Sequence, residues 1–128
     1  MIILSVDTST PTGSLAIVSQ KEGLLSERTW TKKNTHSDVI TLELNESLAQ
    51  AQLKLNDLSA LAVGVGPGSF TGIRVAVNLI RTLGYSLNIP VHGFSSLEAL
   101  AVPALKKVST VVCAMRAFRN LVYVAIFN

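Results

Sequence analysis

The side chains able to do chemistry fall in two short stretches, DTST at residues 7–10 and GVGPGSFTGIR at residues 64–74. In the first, a carboxylate is followed at once by three hydroxyls. Such a turn at a strand end can offer hydroxyls and N–H groups to phosphate while the Asp helps hold a metal ion, which makes Asp7, Thr8 and Ser9 nucleotide-binding candidates. The same residues also build Asx and ST turns, whose side chains bond neighbouring backbone. Without a second domain to close over a nucleotide, that structural alternative is favoured. The second stretch places glycines just ahead of an apolar run, where unpaired N–H groups at a helix start favour anions. It fails the tests for the common phosphate loops: no Gly-Lys pair occurs, and the third glycine position counted from Gly64 and Gly66 is Ser69. We therefore read it as a structural turn in which Gly66, Gly68 and Gly72 permit close backbone packing and Ser69 or Thr71 caps the helix.

Other catalytic groupings are thin. The only histidines are His36 and His92, and the single Cys113 lies in the apolar run VSTVVCAM. Metal-assisted hydrolysis and Cys/His catalysis lack their parts, and Ser69 does not sit in a Gly-x-Ser-x-Gly elbow. His36 reads as a polar residue at a helix start rather than a base.

The elements that must position these stretches follow from 128 residues, 48% hydrophobic and 15% charged, enough for one ordinary core. Residues 2–6 and 14–18 read as strands joined by the DTSTPTG turn, with 24–31 a third strand at an edge. A helix is expected over 38–55, entered through a cap in Asn34–Ser37 and stopped at Asn56-Asp57. Residues 60–65 form a strand apolar throughout, 69–87 a helix ended by Asn88-Ile89-Pro90, and VHGF a short strand before a helix from Ser95 or Ser96. Strands over 108–114 and 121–127 close the pattern. Hairpin-linked strands followed by strand-helix alternation describe an α/β fold with a mixed sheet and helices on its faces. We expect residues 1–107 to make a complete first lobe and 108–128 the first strands of a second. Net charge is +3 with a pI near 9.3, the cations are scattered, and no apolar run approaches the ~18 to 20 residues of a membrane span. With one cysteine and no basic leader, the expected setting is cytoplasmic.

The helices carry more apolar surface than one sheet needs. On the first, Ile40, Leu44, Leu48, Ala51 and Leu55 form one stripe, while Val39, Leu42, Ala49 and Leu53 form another. On the second, Phe70, Ile73, Ala76, Val77, Leu79, Ile80, Leu83 and Leu87 span about half the circumference, leaving Arg74, Asn78, Arg81 and Thr82 as a narrower polar stripe. The surplus suits a four-helix contact with another subunit.

IILSVDTST, GVGPGSFTGIR, IPVHGFSSLEAL and the strand ending VYVAIF together resemble the TsaB (YeaZ) family over essentially the whole chain, which matches the family's N-terminal half. The resemblance implies an actin-like, Hsp70-like ATPase lobe of the ASKHA, ribonuclease H-like class, with a mixed five-stranded sheet. It implies a non-catalytic subunit that supports TsaD in making threonylcarbamoyladenosine in tRNA, with a TsaE-like ATPase in the assembly. On that likeness the chain is a homodimer alone, docks a TsaD-like subunit, meets tRNA through the complex, and has no intrinsic cofactor, ATP or ADP entering only with the assembly. The implied interface residues are Ile40, Leu44, Leu48, Ile73, Arg74, Val77 and Ile80. Two places depart from the family's pattern: Arg116-Ala117-Phe118 stands where Asp-Ala-Arg is usual, and Leu121 stands where a Glu is usual. The readings set against this one are a sugar-kinase-like ATP-binding enzyme of the same fold using Asp7, a peptidase of the kind the family's old glycoprotease label suggests, which lacks a nucleophile-base pair, and an inactive truncated lobe.

Overall fold

The computed structural model describes residues 1–31 and 37–128; the expected cap at Asn34 and the reading of His36 lie outside these residues. Three strands, β1 (Ile2–Asp7), β2 (Thr12–Ser19) and β3 (Gly23–Thr31), form an antiparallel meander. β4 (Ala60–Gly64) joins the other side of β1 in parallel and β5 (Val91–Phe94) joins β4, giving one five-stranded sheet of order β3-β2-β1-β4-β5. The mixed five-stranded sheet expected for the fold class is thus present. Helices α1 (Ser37–Gln50), α2 (Phe70–Leu87) and α3 (Ser96–Leu105) intervene, and β6 (Val111–Arg116) pairs with β7 (Val122–Phe127) in a separate two-stranded sheet.

Register decides where the core sits. Leu4 lies opposite Ile17 and Leu61, and Val6 opposite Leu15 and Val63, so period-2 alternation puts all six side chains on one face. That face is sealed by α1 over β2 and β3 and by α2 over β1, β4 and β5. Each such side chain contributes about 1.5–3 kcal/mol on burial.

The docking of the helices corrects the interface expected from sequence. Ile40, Leu44 and Leu48 of α1 and Ile80 of α2 are all buried in the chain's own core. They are withdrawn as partner-facing residues, because the sheet face of Leu4, Val6, Leu15 and Ile17 is itself apolar and takes up that stripe. Ile73 and Val77 remain half-buried and Arg74 exposed. The second α1 stripe divides, with Val39 buried and Leu42 and Ala49 exposed.

Polar contacts fix α1 on β3. Ser26 donates to Gln50 Oε1 at 3.1 Å and shares a 2.7 Å hydrogen bond with buried Ser47, in which Ser47 must then be the donor. Arg28 bridges Glu43, at 2.8 Å, and Glu46.

α1 ends five residues before its expected limit. Gln52 takes a left-handed φ of 56°, and Leu53 N–H reaches back to Leu48 O at 2.9 Å, closing the helix as a glycine would. A 3-10 turn over Leu55–Asp57 follows, with Asp57 accepting from Lys54 N–H at 2.7 Å. α2 closes similarly through left-handed Asn88, the stop foreseen at that residue. β6 begins at Val111 rather than 108, and Leu97, Ala101 and buried Cys113 join the hairpin to α3.

Candidate functional site

The two stretches singled out in the sequence meet. Asp7 ends β1, and its Oδ1 accepts from Ser9 N–H at 2.7 Å, an Asx turn. Thr8 is fully buried and donates its hydroxyl to Gly72 O at 2.6 Å. Ser9, also buried, accepts at its carbonyl from Ser69 N–H at 2.7 Å. Residues 7–9 are thus fastened to the first turn of α2 across about sixty residues of sequence.

This contact explains the glycines. A Cβ on Gly72 would overlap the Thr8 carbonyl oxygen, one on Gly68 would overlap the Ser9 carbonyl oxygen, and one on Gly64 would overlap the Asp7 carboxylate. Gly66 meets a different need, a left-handed φ of 94°. The bare backbone lets the β1–β2 turn lie directly against the helix start. Ser69 is the N-cap, accepting from Gly72 N–H at 3.1 Å, and Thr71 is not. Ser69→Ala is expected to remove about 1 kcal/mol of stability, read as a melting temperature roughly 4 °C lower by circular dichroism; an unchanged value would show that this cap adds nothing.

The nucleotide candidates are only partly free for a ligand. Thr8 has its hydroxyl committed and its side chain inside. Asp7 and Ser9 border an open groove of about 620 Å³ on the sheet face away from α1 and α2, walled by Phe94, Leu100 and Met115. Asp7 and Glu27 line this groove, and no Lys, Arg or His does. Two carboxylates without a cation repel phosphate. Among the described residues no cluster of three or more His, Cys, Asp or Glu could hold a metal ion.

The outward surface of the helix layer holds groups that apolar periodicity alone did not mark. By helical spacing Phe70, Arg74, Asn78, Arg81 and Tyr85 share one stripe of α2 pointing away from the buried Gly72, Ala76, Ile80 and Gly84. Phe70 is 75% exposed with the Arg74 guanidinium 5.4 Å from its ring centroid, and Tyr85 is 92% exposed. The available signal was the i, i+4 spacing of Phe70, at the border of the apolar span, to Arg74 on the polar stripe. On α1 the outward positions include Leu42, Asn45 and Ala49. The layer is divided by charge: α1 carries Asp38, Glu43 and Glu46 and no Lys or Arg, whereas α2 carries Arg74 and Arg81 and no Asp or Glu.

Comparison with known proteins brings these features together. The family model described as TsaD: tRNA N6-adenosine threonylcarbamoyltransferase matches residues 23–127. The tRNA threonylcarbamoyladenosine biosynthesis protein TsaB of Haemophilus influenzae is 38% identical over 129 residues, 96% of this chain and 52% of that protein. The solved structure of YeaZ from Pseudomonas aeruginosa superposes with a TM-score of 0.90 at 29% identity, covering 98% of this chain and 59% of that one. A likeness of fold alone extends to component A of the (R)-2-hydroxyglutaryl-CoA dehydratase of Acidaminococcus fermentans, with a TM-score of 0.60 at 16% identity over 88% of this chain and 38% of that one. The chain spans about half the length of the curated relatives it matches.

Proposed function

The chain belongs to the TsaB (YeaZ) family and matches the family model of the threonylcarbamoyltransferase TsaD over residues 23–127, and from that premise we propose a non-catalytic subunit in tRNA threonylcarbamoyladenosine synthesis. Its task is to dock a TsaD-like subunit, with self-association when alone, a TsaE-like ATPase in the assembly, tRNA met through the complex, and the cytoplasm as its place. Any ATP or ADP belongs to that assembly. Residues 1–107 act as a first lobe, and 108–128 as the opening strands of a second.

The observation that carries this reading is the outward helix layer. α1 and α2 lie on one sheet face, and α2 turns Arg74 and Arg81 outward to a partner while Glu43 and Glu46 of α1 are already bridged by Arg28 of the same chain, so the layer offers the positive charge of α2 to an acidic partner surface. Exposed Tyr85, Leu42 and the half-buried flanks Ile73 and Val77 add apolar area, and Arg and Tyr are the residue types that most often dominate such contacts. The ATP-using alternative finds less support, since Thr8 is committed to Gly72 and the Asp7 groove is acidic.

Arg81→Glu with Tyr85→Ala is expected to weaken co-purification with a TsaD-type subunit by roughly 10- to 100-fold and to stop tRNA modification when this chain is the only TsaB source. Both side chains are exposed, so the melting temperature should hold. A chain that stays monomeric at high concentration and never retains the TsaD-type subunit sinks the proposal.

A further inference from the structure

From Ala99 to Asn128 the sequence contains no Asp or Glu, yet it holds Lys106, Lys107, Arg116 and Arg119. Two of these cations frame the tip of the β6–β7 hairpin. Leu121 N–H closes the turn on Phe118 O, with Arg119 and Asn120 at left-handed φ values of 52° and 62°. Phe118 is 77% exposed, and the Arg119 guanidinium lies 5.3 Å from its ring centroid. Phe70, with Arg74 over its own ring, belongs to the start of α2. Both phenylalanines line one groove of about 810 Å³, together with Thr10, Ser69, Arg116 and Tyr123. No residue lining this groove has a carboxylate side chain, in contrast to the acidic groove beside Asp7.

An exposed aromatic ring loses contact with water when a flat partner stacks on its free face, and a guanidinium beside it adds attraction for that partner's π system. The Thr10 hydroxyl is given to Thr12 O at 2.8 Å, so the groups that suit phosphate are the Ser69 and Tyr123 hydroxyls and the positive charge of Arg116. Together these are the requirements of unpaired nucleotides, whose bases stack on aromatic rings while cations track the backbone. A duplex has its base faces already stacked internally and can use only the charge.

We propose that this groove binds a single-stranded segment of RNA, with Phe118 and Phe70 as stacking platforms and Arg116 and Arg119 as phosphate contacts. The choice of RNA as the nucleic acid rests on the tRNA-modification reading above; the stacking and charge argument stands apart from it.

The test is fluorescence anisotropy of the full chain with an unstructured RNA oligonucleotide and with its duplex, at a series of salt concentrations. Saturable binding that prefers the single strand is expected. Phe118→Ala should weaken it roughly 5- to 150-fold, Phe118→Trp should restore it, and Phe118→Leu, apolar but without a π face, should not. Arg116→Ala and Arg119→Ala should each flatten the slope of log affinity against log salt by about 0.7. Phe118, Arg116 and Arg119 are exposed, so circular dichroism should confirm that all variants fold. Equal binding of duplex and single strand, full binding by Phe118→Leu, or no oligonucleotide binding at all overturns the proposal; the last outcome points to an acidic protein as occupant. A chain that binds RNA but supports no threonylcarbamoylation overturns the proposed function and leaves this inference standing, and the reverse pair of results does the opposite.

Discussion

Gly72→Ala is expected to lower the melting temperature by about 10 °C or more, a loss of roughly 3 kcal/mol, although alanine is the better helix former by about 1 kcal/mol. The new methyl would occupy the space of the Thr8 carbonyl oxygen, a backbone atom that no change of rotamer can move aside. Relief requires the β1–β2 turn and the α2 start to separate. Separation stretches the Thr8 hydroxyl to Gly72 O bond of 2.6 Å and the Ser69 N–H to Ser9 O bond of 2.7 Å, and the Thr8 and Ser9 groups so stranded are buried. An unpaired buried group costs about 1–3 kcal/mol, so the two bonds alone account for the expected loss. Gly84→Ala is the control. Its methyl would meet a Val91 side-chain carbon rather than backbone, and β5 lies at the sheet edge, where Val91 can yield. Urea and thermal unfolding of both variants check the contrast. If Gly72→Ala unfolds at the same temperature as the parent, the two turns are not held together as described.

That contact also shows where the sequence could be read and where it could not. The hairpins, the parallel strands and the helix starts follow from local chemistry: DTSTPTG turns the chain, Ser69 caps α2, and Asn88 ends it in a left-handed conformation. The Asx turn at Asp7 and the structural role of the glycines were legible for the same reason. What the glycines pack against was not, because the Asp7–Ser9 turn lies about sixty residues away and no local pattern names it. The end of α1 escaped for another reason. A left-handed Gln52 carries no glycine signal, and the apolar stripe runs on through Leu55 into a 3-10 turn with only Asp57 to mark it. The two grooves follow the same logic. Their opposite charge depends on β6, β7 and α3 folding back beside β1 and α2, which periodicity within any one element does not encode.

The α1 stripes test which surface faces outward, because sequence periodicity offered two and one was assigned to a partner. Leu44→Ala is expected to cost about 2–5 kcal/mol, since the side chain is 3% exposed and its loss leaves a cavity over β2 and β3. Leu42→Ala, at 55% exposure, should change stability by no more than about 0.5 kcal/mol. In association the order reverses. A properly folded Leu42→Ala chain loses apolar area from the outward layer and should bind a TsaD-type subunit more weakly, whereas the Leu44→Ala chain, assayed below its melting point, should bind near normally. The helix layer can serve the core and a partner together only because these stripes are about half a turn apart: Ser26 and Ser47 join β3 to α1 on one side, and Leu42 and Ala49 face away on the other. Equal melting temperatures for the two variants would mean that α1 is rolled about its axis, returning Ile40, Leu44 and Leu48 to the partner-facing side.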